Sequence, residues 1–403
     1  MTNPASPSPA ATFAASSAAG PDPLHLPHLW RFEPGVTYVN HGAFGAVPTV
    51  VREEQREWQD RVDANPMGFN RRELSRELDE ARLVMARFLG SDENGVAFTP
   101  NATTGVATVF GAFNLAPGDR ILVTDHVYGA VLRNARLAAA RAGAEVDMVH
   151  VPLEAEGAEV VAAIMSGVTG ATRLAIVDQI SSMTAKLFPA AAIAESLHER
   201  GVRILVDGAH APGAIPVDLQ TLGADYWTGN LHKWAGAPHG TAGLYVAPEL
   251  RAGLQSFPVS WRADEGFPDS FSDIGTLDKS GWLSAPAGLR FYTEFGWEAV
   301  RARNNALART GQQLIAQALG VSLQGMPGED VPDYPLPMRL VPLPSVPGEA
   351  EACKALTERL GLQHAIEVPV EAWHGRALLR VSAQLYNAEA DYERLARTLT
   401  QIL

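Results

Sequence analysis

One cysteine stands in 403 residues, Cys353, so neither a disulfide framework nor a thiolate metal cluster can form within the chain. No run of 18 apolar residues is present, which argues against a transmembrane helix. Positive charge is scarce: 32 Lys and Arg stand against 45 Asp and Glu, a formal net charge of -13. That balance argues against a general role on nucleic acid or an anionic membrane. Residues 1–21 carry no charged side chain and are interrupted by Pro4, Pro7 and Pro9. A secretory signal needs a basic start and an unbroken apolar centre. Residues 1–23 are therefore expected to be a disordered tail, and the chain to be cytoplasmic.

Apolar substance is plentiful. A hydrophobic fraction of 46% over this length allows one large and one small domain. The expected division is an N-terminal segment over 24–48, a large domain over 49–290 and a small α+β domain over 291–403. The proline-rich stretch Met326–Pro347 is read as a connection into its terminal part, Val341–Leu403. Helical spacing runs over Thr49–Trp58 and Glu73–Leu89. Apolar runs then follow at Val96–Thr99, Arg120–Asp125, Glu145–Val151, Leu174–Asp178, Arg203–Asp207 and Thr241–Val246. Helical stretches separate several of them: Thr103–Phe113, Ala130–Ala142 and Ala190–Arg200. Unbroken apolar strands alternating with helices predict a three-layer αβα domain around a mostly parallel sheet.

Polar residues gather where these strands stop: Asn101-Ala-Thr-Thr104, Asp125-His126, Ser181-Ser182, Asp207 and Lys233. Ligands of open α/β sheets bind at such ends. Lys233 lies among Trp227, Leu231 and Trp234. A partly buried amine has a lowered pKa, which suits a Schiff base. A strand-end Asp207 suits the protonated nitrogen of pyridoxal phosphate, though an Asp before Gly208 is equally a turn former. Thr103 and Thr104 open a helix, where amides and hydroxyls hold phosphate, or where Asn101 is simply a cap. His126 is a ring-stacking group, an acid or a structural histidine. Arg380 is the one basic residue in the run Ala377–Ser382. A buried Arg needs an anion, either a substrate carboxylate or a structural partner. No metal site is read from the sequence.

Together these stretches resemble the class V aminotransferases, the cysteine-desulfurase-like branch of fold type I pyridoxal-phosphate enzymes, and above all its isopenicillin N epimerase-like members. The matching pieces are Tyr38-Val-Asn-His-Gly-Ala-Phe-Gly45, Asn101–Thr104, Asp125-His-Val-Tyr-Gly129, Val206-Asp-Gly-Ala-His210, Gly229-Asn-Leu-His-Lys-Trp234, Gly275-Thr-Leu-Asp278 and Leu379-Arg-Val-Ser382. The resemblance implies that Lys233 is the Schiff-base lysine, that Asp207 pairs with the ring nitrogen and that His126 stacks on the ring. It implies a phosphate held by Thr103, Thr104, His210, Asn230 and His232. Ser182, or Ser181, falls near the ring hydroxyl where many relatives carry Asn. Thr276 is implied to reach the phosphate of a second subunit, making a homodimer with shared sites. Arg380 is implied to bind the substrate carboxylate, and His41 lies in a loop expected to touch substrate. Desulfurases carry a nucleophilic Cys ahead of the Arg strand. Here that region, Ala365–Arg376, has none, so persulfide chemistry is not expected.

The implied activity is on the α-carbon of an amino acid, foremost as an epimerase. Transamination and C–S lysis begin with the same proton loss from Cα, with Lys233 as the base, and stay open. So does a non-catalytic cofactor-binding role. Candidates for a second acid are His41, Tyr128 and His374. Substrate specificity is expected from four loops: His41–Phe44, Asn65–Arg72, Ser260–Phe271 and Glu367–Arg376.

Overall fold

The computed structural model describes residues 22–329, 331 and 334–403. The expected tail lies, up to residue 21, outside the described residues. The strands are β1 (Thr37–Tyr38), β2 (Val96–Thr99), β3 (Arg120–Thr124), β4 (Glu145–Val149), β5 (Thr172–Asp178), β6 (Arg203–Asp207), β7 (Tyr226–Asn230), β8 (Ala242–Val246), β9 (Met338–Pro342), β10 (Ile366–Glu367), β11 (Val370–Trp373) and β12 (Arg376–Ser382). The helices are α1 (Thr49–Ala64), α2 (Pro66–Arg72), α3 (Leu74–Phe88), α4 (Ala102–Ala112), α5 (Gly129–Ala142), α6 (Ala158–Ser166), α7 (Ala190–His198), α8 (Ser280–Leu283), α9 (Ala285–Phe295), α10 (Trp297–Leu319), α11 (Ala350–His364) and α12 (Glu389–Ile402).

Seven strands form the central sheet in the order β2-β8-β7-β6-β5-β3-β4. β8 runs antiparallel to both its neighbours, and the remaining pairings are parallel. The expected mostly parallel sheet is thus present; the single reversal at β8 was not legible. Apart from the edge strand β4, which is only partly buried, its strands are buried on both faces, which explains their unbroken apolar runs. In β3, Leu122 belongs to the core on one face, which also holds residues of α3, α6 and α7, while Ile121 and Val123 belong to the core on the other face with residues of α4 and α5. The α6 helix, Ala158–Ser166, was missed. So was α2, which occupies the stretch Asn65–Arg72 expected to be a loop. Pro66 opens α2 and Asn65 accepts the amide of Gly68, a proline start with a side-chain cap.

A smaller body follows. β11-β12-β9 form an antiparallel sheet packed by α10, α11 and α12. β9 falls inside the stretch read as a connection, because Met338–Val341 is buried despite its flanking prolines. β1 pairs in parallel with β10, Thr37 opposite Ile366, so a residue from the start of the chain completes the C-terminal core. This pairing brings the loop after β1 over the ends of the central strands.

Candidate active site

Asp178 and Asp207 end β5 and β6 and face each other in register, with Thr228 of β7 next across. Parallel alignment therefore stacks polar residues at one edge of the sheet. Asp207 is buried and accepts the amide of Ala209 at 2.9 Å. Burial raises its pKa, and the charge of Lys233 opposes that rise. Lys233 is only 9% exposed, and its Nζ lies 2.8 Å from His210 Nε2. Burial, then the charge of Arg380, brings the amine down to about 7, against the pull of Asp207. An amine so placed is a competent nucleophile and base near neutrality.

The turn that carries Lys233 is held from behind. His41 Nε2 lies 3.1 Å from the Lys233 carbonyl and its Nδ1 lies 2.9 Å from the Tyr386 hydroxyl. A side chain at Gly45 would sit 2.7 Å from Lys233 Cα, so glycine permits the loop to close there. His41 is wholly buried, and burial depresses its pKa to about 3. The substrate contact expected of His41 is therefore replaced by a positioning contact with the Lys233 backbone.

The first turn of α4 is tied to the same edge. Asn230, at the end of β7, accepts the Ala102 amide at 2.9 Å. Asn101 accepts both the amide and the hydroxyl of Thr104, at 2.8 and 3.0 Å. Thr103 and Thr104 are partly exposed at this helix start, where the helix dipole favours an anion even though the Ala102 and Thr104 amides are already engaged. His232 donates from Nδ1 to the Thr241 carbonyl at 2.8 Å. Arg380, from the middle of β12, is buried and donates to the carbonyl of Ser182 and to its hydroxyl, the latter at 3.2 Å. Glu371 stands 3.8 Å away as a partial counter-charge.

His126 departs from expectation. Its ring is 0% exposed, with Nδ1 on the Thr184 hydroxyl and Nε2 on the Val151 carbonyl, both at 2.7 Å. Phe188 and Trp373 pack on it. A side chain that stacks on a bound ring must present a free face, and His126 presents none. It is a satisfied structural histidine. Tyr128, two residues on, is 45% exposed. Thr276 is exposed and far in character from the buried cluster; it lines a separate cleft of about 900 Å³ with Met67, Arg71, Trp261 and Arg262. Asp178 was overlooked, although its run Leu174–Asp178 ends in the same way as Arg203–Asp207. Burial and the neighbouring Asp207 push its carboxyl well up.

Three buried polar atoms of the candidate site, Asp178 Oδ2, His210 Nδ1 and Arg380 Nε, have no hydrogen-bond partner among the described residues. A carboxyl for a ring nitrogen, a near-neutral amine and a phosphate-ready helix start fit pyridoxal phosphate. The family comparison agrees with that chemistry. The class V aminotransferase profile matches residues 38–341. Isopenicillin N epimerase of Streptomyces clavuligerus is 32% identical, the match covering 91% of this chain and 95% of that protein. L-cysteine desulfhydrase of Arabidopsis thaliana is 31% identical, covering 92% and 88%. Among solved structures, a mutant of C-DES with glycine covalently linked to its PLP cofactor superposes with a TM-score of 0.77 at 22% identity, covering 94% and 99%. The chain belongs to the class V aminotransferase family and is a pyridoxal-phosphate-dependent enzyme. No helix among the described residues is long and apolar enough to cross a membrane.

Proposed function

We propose that this enzyme is an amino-acid epimerase that binds the substrate α-carboxylate at Arg380 and removes the Cα proton with Lys233. The observation that carries the reading is Lys233 itself: a buried amine held near neutrality, within the field of a buried guanidinium. Bound at the strand ends, pyridoxal phosphate supplies an aldehyde for amines to condense with and a protonated ring that draws electrons from Cα. Asp207 would keep the ring nitrogen protonated. Thr103, Thr104, His210, Asn230 and His232 would hold the phosphate, and Ser182 would lie near the ring hydroxyl. Nζ of Lys233 takes the proton, and His41 fixes the backbone from which that amine extends. Arg380, anchored on Ser182, orients the carboxylate. Epimerisation requires a second proton donor, and Tyr128 is the group proposed, since its hydroxyl side chain follows the end of β3 and is 45% exposed.

A second reading, β-elimination from a sulfur amino acid, is supported by the desulfhydrase relative at nearly the same identity as the epimerase. It needs no donor beyond Lys233. We further propose a cytoplasmic homodimer. Trp261, 94% exposed, and Met67 leave apolar surface uncovered beside Thr276, which a second copy would bury while Thr276 reached its phosphate site.

The deciding experiment incubates the cofactor-loaded enzyme with L- and D-amino acids, cysteine included, in D₂O. Deuterium at Cα with loss of optical purity is expected. Pyruvate with ammonia would instead establish the lyase reading, and a keto acid without free ammonia would establish transamination. The cofactor-loaded enzyme is also expected to show a visible absorbance band that Lys233→Ala abolishes.

A further inference from the structure

Asp125, His150 and His374 come from three distant segments and meet at one point. Their ligating atoms all lie within 4.8 Å of one another. Asp125 Oδ2 is 2.5 Å from His150 Nδ1 and 2.7 Å from His374 Nε2. The other carboxylate oxygen accepts the Val151 amide at 3.0 Å, which fixes the direction in which Oδ2 points. Supporting hydrogen bonds of this kind orient metal-binding carboxylates.

His374 is held there by an unusual turn. Trp373 pairs with Arg376, so His374-Gly375 is a two-residue hairpin loop, with φ of 47° and 71°. Such turns need positive φ at both positions and normally use Asn, Asp or Gly. Histidine at that position instead carries a ring to Asp125. The indole of Trp373 lies 6.1 Å from the His150 ring at 30° and 4.5 Å from the His374 ring, bracing both.

We propose that Asp125, His150 and His374 form a binding site for a divalent cation of the zinc class, which pins the β11–β12 hairpin to the ends of β3 and β4. Two imidazoles and one carboxylate are a borderline donor set suited to Zn²⁺, with a fourth position left for water. Tetrahedral bonds of about 2.0–2.1 Å place ligand atoms roughly 3.3 Å apart. The two rings therefore need to withdraw from Oδ2 by less than about 1 Å, and both side chains are half exposed, free to do so. Arg380 lies on β12, the second strand of the pinned hairpin. Occupancy would restrain the strand that carries the carboxylate-binding residue.

The test is equilibrium dialysis of metal-stripped, cofactor-loaded enzyme against Zn²⁺, beside Asp125→Asn, His150→Gln and His374→Gln. The unmodified enzyme is expected to bind Zn²⁺ through this site. Each variant is expected to lose affinity by about 100-fold or more, above the 10–100-fold that a supporting residue costs. An unchanged cofactor absorbance band shows each variant to be folded. Co²⁺ in place of Zn²⁺ gives a second readout, a ligand-field band lost in the variants. No binding by the unmodified enzyme, or parental affinity in any folded variant, overturns the assignment.

Discussion

His210 Nε2 and Lys233 Nζ lie 2.8 Å apart, bridging the turn after β6 and the turn after β7. The pairing holds the lysine amine at the sheet edge without giving it a full counter-charge. Burial and Arg380 then set it near pH 7. Condensation of cofactor-free enzyme with pyridoxal phosphate should accelerate as pH rises through about 7, because only the unprotonated amine attacks. Arg380→Ala removes the second cause of the depressed pKa and should move that midpoint upward. Stopped-flow absorbance across pH 6–9 measures both, and a midpoint that stays put in the variant contradicts the coupling.

Asp178 and Asp207 are neighbours with different expected charges. Both are raised by burial, but Asp178 is also raised by Asp207, while Asp207 is favoured by Lys233. Two adjacent buried carboxyls do not both ionise readily. Asp178→Asn preserves a neutral polar group and should retain activity within about 10-fold, whereas Asp207→Asn, lacking the charge on the ring nitrogen, should lose about 100-fold or more. Equal losses in steady-state turnover would falsify this division.

Arg380 is expected to act on substrate more than on cofactor. Loss of a charged hydrogen-bonding partner costs about 1.5–3 kcal/mol, or roughly 10–100-fold in affinity. Arg380→Ala is expected to raise KM by about that factor and to leave the cofactor dissociation constant within about 3-fold. Spectral titration with pyridoxal phosphate, run beside the kinetics, distinguishes the two. Parallel losses would mean that Arg380 supports the pocket as a whole.

Acid should destabilise the fold through its buried histidines. Burial lowers His41 to about 3, and His126 and His232 to about 4. Between the ordinary histidine pKa of about 6.5 and those values, the unfolded chain binds protons that the folded chain refuses. Stability therefore falls as pH drops through that window, by on the order of 1–3 kcal/mol per histidine near pH 4. Urea unfolding at pH 7 and pH 4.5 should show the loss, and His126→Gln should show less of it. An identical pH slope in that variant would remove His126 from the account.

Much of the site was legible because parallel αβ units repeat one local rule. Apolar runs end in polar residues, and their alignment places Asp207, Asn101, Ser182 and Lys233 at a common edge. Asp178 obeys the same rule and was missed only because its run bears no accompanying motif. His126 was misread because position after a strand does not say which way a ring turns. Its rotation toward Val151 and Thr184 is decided by partners in separate segments. The same limit hid β9, whose prolines suggest a connection until burial against α10 and β12 is seen.

The chemistry open to this protein was determined by its sequence alone: a lysine in apolar surroundings, an aspartate at a strand end, and an arginine alone in an apolar run. Residue type and local period suffice there, because ionisable groups in apolar stretches are costly unless used. The tertiary structure decided which groups meet. Only folding brings His41 behind Lys233, Asp178 beside Asp207, and His374 onto Asp125 and His150. Those contacts join segments separated by long stretches of chain, and packing rather than local preference selects them.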